Sequence, residues 1–88
     1  MGDGIEVTVK VLFFAKAREL SGTEVSDLKV DAASTYDYLL NKIVNKFSLG
    51  KIRNNILLAI NEEYSGPDAP IHLKDGDEIA VIPPISGG

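Results

Sequence analysis

The sequence predicts an α+β fold: one mixed sheet packed on a single main helix. Three observations predict it. An alternating apolar strand opens the chain, an amphipathic helix follows a turn-rich stretch, and a second alternating strand comes shortly before the end.

Ile5, Val7, Val9, Val11 and Phe13 alternate with Glu6, Thr8 and Lys10, the period-two pattern of a half-buried strand. The opposite face turns apolar at Leu12 and Phe14. The end of this strand is therefore expected to be covered on both sides, by a second small core or by a partner. Ser21-Gly22 marks a turn, and Thr23 to Val30 reads as a second strand interrupted at Ser26 and Asp27, as in a hairpin with a bulge. Ser34 is suited to cap a helix, with Asp37 three residues on as a weak capping box. Tyr36, Leu39, Leu40, Ile43, Val44 and Phe47 then recur at helical spacing, with Asn41, Lys42, Asn45 and Lys46 on the other side and Gly50 as the stop. Ile56 to Ile60 is a continuous apolar run, the mark of a buried strand. Asn61-Glu62-Glu63 is a turn, Ser65-Gly66-Pro67 punctuates the loop beyond it, and Asp75-Gly76-Asp77 is a tight turn. Glu78 to Ile82 is the final strand, with Ile79 and Val81 set against Glu78 and Ala80.

A helix after a hairpin can cross over with right-handed sense and return the chain parallel to the first strand. That is the β-grasp, or ubiquitin-like, architecture, although this order also fits other small α+β folds. The expected division is a flexible N-terminus at 1–4, a β-grasp domain at 5–82 and an extended functional tail at 83–88.

At 88 residues the chain makes one domain. It buries only ~60–65% of its unfolded surface, which leaves little room for a deep cavity. It has no cysteine, which rules out a disulfide scaffold, a thiolate metal site and a catalytic cysteine. A net charge of -4, with lysines and arginines scattered from Lys10 to Lys74, argues against a nucleic-acid binder. No apolar run approaches the ~20 residues of a membrane span, and no signal core follows Met1 to Gly4, so a cytoplasmic location is expected. His72 is the single histidine. Without a second histidine, a serine triad or a cysteine it reads as a surface or edge residue, not a catalyst. Asp75, Asp77 and Glu78 lack the remaining ligands of a calcium loop, so no metal site is expected. Adjacent Glu62 and Glu63 carry no mark of an acid–base pair. Arg18 and Glu19 are either a polar contact to a partner or a solvated loop.

The most informative segment is Pro83-Pro84-Ile85-Ser86-Gly87-Gly88. The prolines cannot continue a ladder and favour an extended conformation. Ile85 is a lone apolar residue suited to partner contact. Gly87 and Gly88 have no side chains, so they can enter a narrow channel and let backbone approach reacting atoms. A terminal carboxylate is ionised at neutral pH and inert until activated. Adenylation would make it a mixed anhydride, and a sulfur nucleophile could then replace AMP to leave a thiocarboxylate. A chain without cysteine can carry sulfur only on a group of this kind. A Gly-rich end can also be simply a disordered terminus, but direct attachment to a strand through Pro-Pro favours function.

Leu12-Phe13-Phe14-Ala15-Lys16-Ala17-Arg18-Glu19-Leu20, the Asn61-Glu62-Glu63-Tyr64 turn, and Asp75 through Gly88 resemble the corresponding segments of molybdopterin synthase small subunits, ubiquitin-like sulfur carriers. The resemblance covers the chain apart from Met1 to Gly4, and the last six residues carry it most specifically. It implies a β-grasp fold and a Gly88 that is first a glycyl adenylate and then a 1-thioglycine. It implies no permanently bound cofactor: ATP is used by an E1-like adenylyltransferase/sulfurtransferase, and AMP is linked transiently to Gly88. It further implies a heterotetramer of two small and two large synthase subunits. The large subunit would supply the catalytic side chains while Pro83, Pro84, Ile85, Ser86 and Gly87 insert into it, and Leu12, Phe14 and Arg18 are candidate partner contacts. Two sulfur transfers would convert cyclic pyranopterin monophosphate into the molybdopterin dithiolene. The alternatives are a carrier for thiazole or transfer-RNA thiolation, against which the Pro-Pro-Ile-Ser-Gly-Gly end and the Phe-Phe-Ala segment argue, and a ubiquitin-like protein modifier.

Overall fold

In the computed structural model, which describes residues 5–64 and 70–83, the first alternating segment forms strand β1 (Glu6–Phe13). Met1 to Gly4, the Ser65-Gly66-Pro67 punctuation, and the tail positions Pro84, Ile85, Ser86, Gly87 and Gly88 lie outside the described residues. Val7, Val9, Val11 and Phe13 bury one face of β1, as their spacing predicts. Ile5 does not join them. It precedes the strand and is 71% exposed, its carbonyl accepting the Ala32 N–H at 2.7 Å.

The hairpin is not tight. A short helix α1 (Ala15–Ser21) joins β1 to β2 (Val25–Asp31), and it ends at Gly22, whose φ of 80° lets its N–H reach the Arg18 carbonyl. With Ala17 as its one buried residue, α1 has no stripe from which periodicity could announce it. The expected bulge is absent, because β1 and β2 pair in unbroken antiparallel register from Glu6↔Asp31 to Leu12↔Val25. Ser26 and Asp27 are ordinary rungs of that ladder.

Ser34 is not the helix cap. It sits in β3 (Ala33–Thr35), which pairs with β6 (Pro70–His72), and its buried hydroxyl donates to the Asp31 carbonyl at 2.6 Å. Pairing with β6 keeps the chain extended one residue longer. Thr35 then caps α2 (Tyr36–Phe47), its Oγ1 accepting the Tyr38 N–H at 3.2 Å. The helix closes at Ser48, in the left-handed region at φ 61°, and Gly50 instead begins a 3-10 turn, Gly50–Asn55. Leu39, Ile43 and Val44 face the sheet, and Phe47 meets Phe13 edge to face with ring centroids 4.7 Å apart.

β4 (Leu57–Ile60) and β5 (Glu63–Tyr64) are joined by Asn61 and Glu62, both at positive φ (51° and 72°), the type I′ geometry of a two-residue hairpin. Glu63 thus belongs to a strand and not to the turn. β4 ends its pairing with β5 at Ala59, so the Leu58 N–H has no strand beside it, and the Tyr36 hydroxyl accepts it at 3.0 Å. β7 (Glu78–Ile82) completes a five-stranded sheet of order β2-β1-β7-β4-β5. β1 and β7 are parallel and the other pairs antiparallel. The parallel return is made by β7, while β4, first in the sheet after the helix, lies outside it. Mixed sheet, crossing helix and buried core between them constitute the β-grasp fold.

The Asp75-Gly76-Asp77 turn sets the start of β7. Gly76 takes φ 90°, which a turn of this form asks of glycine. Asp75 Oδ1 accepts the Thr8 N–H at 2.8 Å, and the Gly76 N–H donates to the Thr8 carbonyl at 2.9 Å. Asp77 is buried and its Oδ2 accepts the Lys74 N–H at 2.9 Å. That backbone hydrogen bond, helped by the Asn61 amide and the Lys74 ammonium, holds the Asp77 carboxyl below its ordinary value against the opposing effect of burial.

Candidate functional site

The tail grows from the middle of the sheet. β7 lies between β1 and β4, and Ile79 and Val81 are fully buried on the helix side. Its start is fixed by three further bonds: Lys10 N–H to the carbonyl of Asp77 just before it, Asn61 N–H to the Glu78 carbonyl, and Glu78 N–H to Asn61 Oδ1 at 2.9 Å. A segment leaving such a strand has a rigid root. Pro83 follows Ile82 directly, is half-buried, and cannot donate to a neighbouring strand, so the ladder ends there.

The sheet face away from α2 divides into two halves. At the end where β7 finishes, register sets Leu12 between Val25 and Ala80, and Ile82 beside Leu57. Phe14, still extended at φ -122° and ψ 147°, stands one residue beyond the last β1–β7 pair. Phe14, Val25 and Leu57 are 48%, 44% and 50% exposed. At the other end the same face carries Glu6, Thr8 and Lys10 opposite Asp31, Lys29 and Asp27. The apolar half therefore surrounds the root of the tail and the charged half lies away from it. Among the described residues no second layer packs on this end of the face; Leu12 is half-buried and Phe14 half-exposed, an apolar surface open to contact. Arg18 is exposed on α1, with Nη1 3.6 Å from Glu24 Oε2, an exposed pair worth little by itself. Glu24 immediately precedes Val25, so the pair borders the apolar half.

Leu12, Phe14, Arg18 and Pro83 thus gather at one end of the fold; the remaining tail positions lie outside the described residues. Val25, Leu57 and Ile82 join them and were not singled out from sequence. Val25 needs the β1–β2 register to be placed opposite Leu12. Leu57 sits in the run Ile56 to Ile60, whose two faces read alike. His72 lies in β6 opposite Ala33 with its side chain exposed. Among the described residues no group of three or more histidine, aspartate or glutamate side chains is placed to hold a metal ion. No described helix is long and apolar enough to cross a membrane.

The fold is that of a ubiquitin-like protein. The chain belongs to the ThiS family, whose model matches residues 11–88. It is 49% identical to the molybdopterin synthase sulfur carrier subunit of Drosophila melanogaster over 98% of this chain and 97% of that protein. Among solved structures it is similar to the small archaeal modifier protein 1 of Methanosarcina acetivorans (TM-score 0.72, 28% identity, 97% of this chain and 100% of that one). It is also similar to a chain in the complex of subunits 1 and 2 of the Helicobacter pylori molybdopterin-converting factor (TM-score 0.64, 26% identity, 93% and 100%).

Proposed function

We propose that this chain is the sulfur carrier subunit of a cytoplasmic molybdopterin synthase and that Gly88 carries the sulfur. The observation behind this reading is that the sequence Pro83-Pro84-Ile85-Ser86-Gly87-Gly88 follows directly on the central strand β7, whose end at Ile82 and Pro83 lies beside the exposed apolar half of the sheet. A rigid root, a side-chain-free end and a docking face beside it are what a carrier needs to deliver one atom group into another protein's active site.

The chemistry balances without any side chain of this protein acting as a catalyst. A Gly88 carboxylate oxygen attacks the α-phosphorus of ATP on the E1-like enzyme, and pyrophosphate leaves. The terminal sulfur of an enzyme persulfide attacks the acyl carbon of the glycyl adenylate, and AMP leaves. A second thiol then takes the inner sulfur of the acyl persulfide into a disulfide, releasing the thiocarboxylate. The apolar half docks on the large subunit, in an assembly of two small and two large chains, and the tail enters its active site. The thiocarboxylate sulfur attacks a side-chain carbon of cyclic pyranopterin monophosphate and displaces the oxygen substituent there; water then cleaves the resulting thioester at its acyl carbon, leaving the sulfur on the pterin and a carboxylate at Gly88. Two loaded carriers supply the two sulfurs of the dithiolene.

The likeness to a small archaeal modifier protein favours a second reading, in which a lysine amine of another protein attacks the activated Gly88 carbonyl. One experiment addresses both. Gly88 is deleted, or one residue is added after it, and molybdopterin formation is assayed with the large subunit and activating enzyme. Activity is expected to vanish with an unchanged melting curve, and Gly87→Trp is expected to act likewise. Retained molybdopterin formation would sink the mechanism, and a Gly88-dependent ladder of conjugates without it would select the modifier.

A further inference from the structure

Strand β2 is an edge of the sheet, and beside it runs a groove of about 590 Å³ bounded by Glu6, Thr8, Asp27, Leu28, Lys29, Lys42 and Lys46. It lies on the charged side of the fold, away from the tail root. The ladder with β1 fixes which backbone groups of β2 are free. The Phe13 N–H donates to the Glu24 carbonyl and the Ala32 N–H to the Ile5 carbonyl. Antiparallel alternation between these two bonds spends the N–H and C=O groups of Ser26, Leu28 and Val30 on β1. Those of Val25, Asp27, Lys29 and Asp31 point outward; the Thr23 and Ser34 hydroxyls already donate to the Val25 and Asp31 carbonyls, so Asp27 and Lys29 keep both donor and acceptor to template another strand.

The groove also has a sign. Leu28, 4% exposed, forms an apolar floor. Lys42 and Lys46 stand on the α2 wall, Nζ 5.7 Å from the Tyr38 ring centroid and 5.9 Å from that of Phe47 respectively. The ion pairs among the described residues use Lys16, Arg18 and Lys74; none uses Lys29, Lys42 or Lys46. In a chain of net charge -4 the groove is locally positive, its three lysines outnumbering the carboxylates of Glu6 and Asp27. A second copy is a poor occupant. Antiparallel β2–β2 pairing centred on Leu28 would match Asp27 with Lys29, but it would turn both Lys42 and Lys46 pairs toward each other across the groove.

We propose that the β2 edge and the α2 flank bind an extended acidic segment of a partner protein by strand addition. Its backbone continues the sheet at Asp27 and Lys29, an apolar side chain rests on Leu28, and carboxylates meet Lys42 and Lys46. This inference is independent of the tail chemistry. The groove lies away from the apolar half, so a partner held there leaves the tail free to work.

The test is a titration of the full ¹⁵N-labelled chain with the blocked peptide Glu-Glu-Val-Ile-Val-Thr-Glu-Glu, followed by two-dimensional NMR. The expected response is a saturable shift and slowed exchange of the Asp27 and Lys29 amides. The double variant Lys42→Glu/Lys46→Glu should weaken binding by about tenfold or more. Asp27→Pro is the sharper variant, because it removes an outward donor at an edge position that tolerates proline. It also removes a negative charge, so simple electrostatic attraction predicts tighter binding and strand addition predicts loss. If Asp27→Pro unfolds the domain, the wild-type shift map and the lysine pair still decide. Three outcomes overturn the proposal: no saturation by ~1 mM peptide, shifts confined to Leu12, Phe14 and Leu57, or the same amide shifts on concentrating the protein alone, which would assign the edge to a second copy.

Discussion

Phe13 and Phe14 are neighbours in sequence on opposite faces of the sheet, and truncating each to alanine separates folding from docking. Phe13 is 2% exposed and packs on Phe47. Its removal leaves a cavity, and Phe→Ala at such a site costs about 3–5 kcal/mol. In a domain of this size that lowers Tm by about 15–30 °C. Phe14 is 48% exposed, so the fold has buried only half of its ring and truncation opens the site to water without a cavity. Full burial of such a side chain is worth about 1.5–3 kcal/mol, so Phe14→Ala should cost about 1 kcal/mol in stability. The half that remains exposed is what docking can use. The same coefficient gives about 1–1.5 kcal/mol, a roughly five- to twelvefold weaker Kd for the large subunit. Phe14→Asp should weaken it further, because an unpaired carboxylate would be buried. Calorimetric melting and isothermal titration against the large subunit read the two effects. Equal loss of Tm in both alanine variants, or a Kd unmoved by Phe14→Asp, would refute the assignment of faces.

Three further variants test the frame that holds the tail. Glu62 occupies a left-handed turn position at φ 72°, where a non-glycine residue costs about 1–2 kcal/mol and glycine's unfolded-state entropy returns about 0.4–1; Glu62→Gly should raise Tm by a few degrees. Tyr36→Phe deprives the buried Leu58 N–H of its acceptor and should cost about 1–3 kcal/mol by denaturant unfolding. Asp77→Ala should cost a similar amount near neutrality, because it orphans the Lys74 N–H. The Asp77 carboxyl lies below its ordinary 3.8 in the folded state, so its contribution is full above that pH and is lost as pH falls through the lower folded value. The gap between wild type and Asp77→Ala should therefore narrow below pH 3.8.

Elements with a strong period were legible from sequence. Alternation places β1 and β7, and the 3.6-residue stripe places α2. Where the period is short or tertiary pairing intervenes, the reading fails. α1 has one buried residue, β5 has two residues, and β3 and β6 have three each. Ser34 has the chemistry of a cap, but pairing with Ile71 moves the helix start past it and gives the role to Thr35. Of the site, Leu12 and Phe14 stood out because they break the alternation of β1. Val25 and Leu57 did not, since their faces depend on registers between segments far apart in the chain.

The most direct test of the account is the chemical state of Gly88 after incubation with ATP, a sulfur donor and the cognate activating enzyme. Intact-mass and fragmentation spectrometry should show an oxygen-to-sulfur exchange placed at Gly88 by the C-terminal fragments; Met1 oxidation gives the same nominal mass change and must be separated from it. A thiocarboxylate at Gly88 is the predicted result. An unmodified Gly88, with an enzyme shown to load another carrier in parallel, would contradict the account.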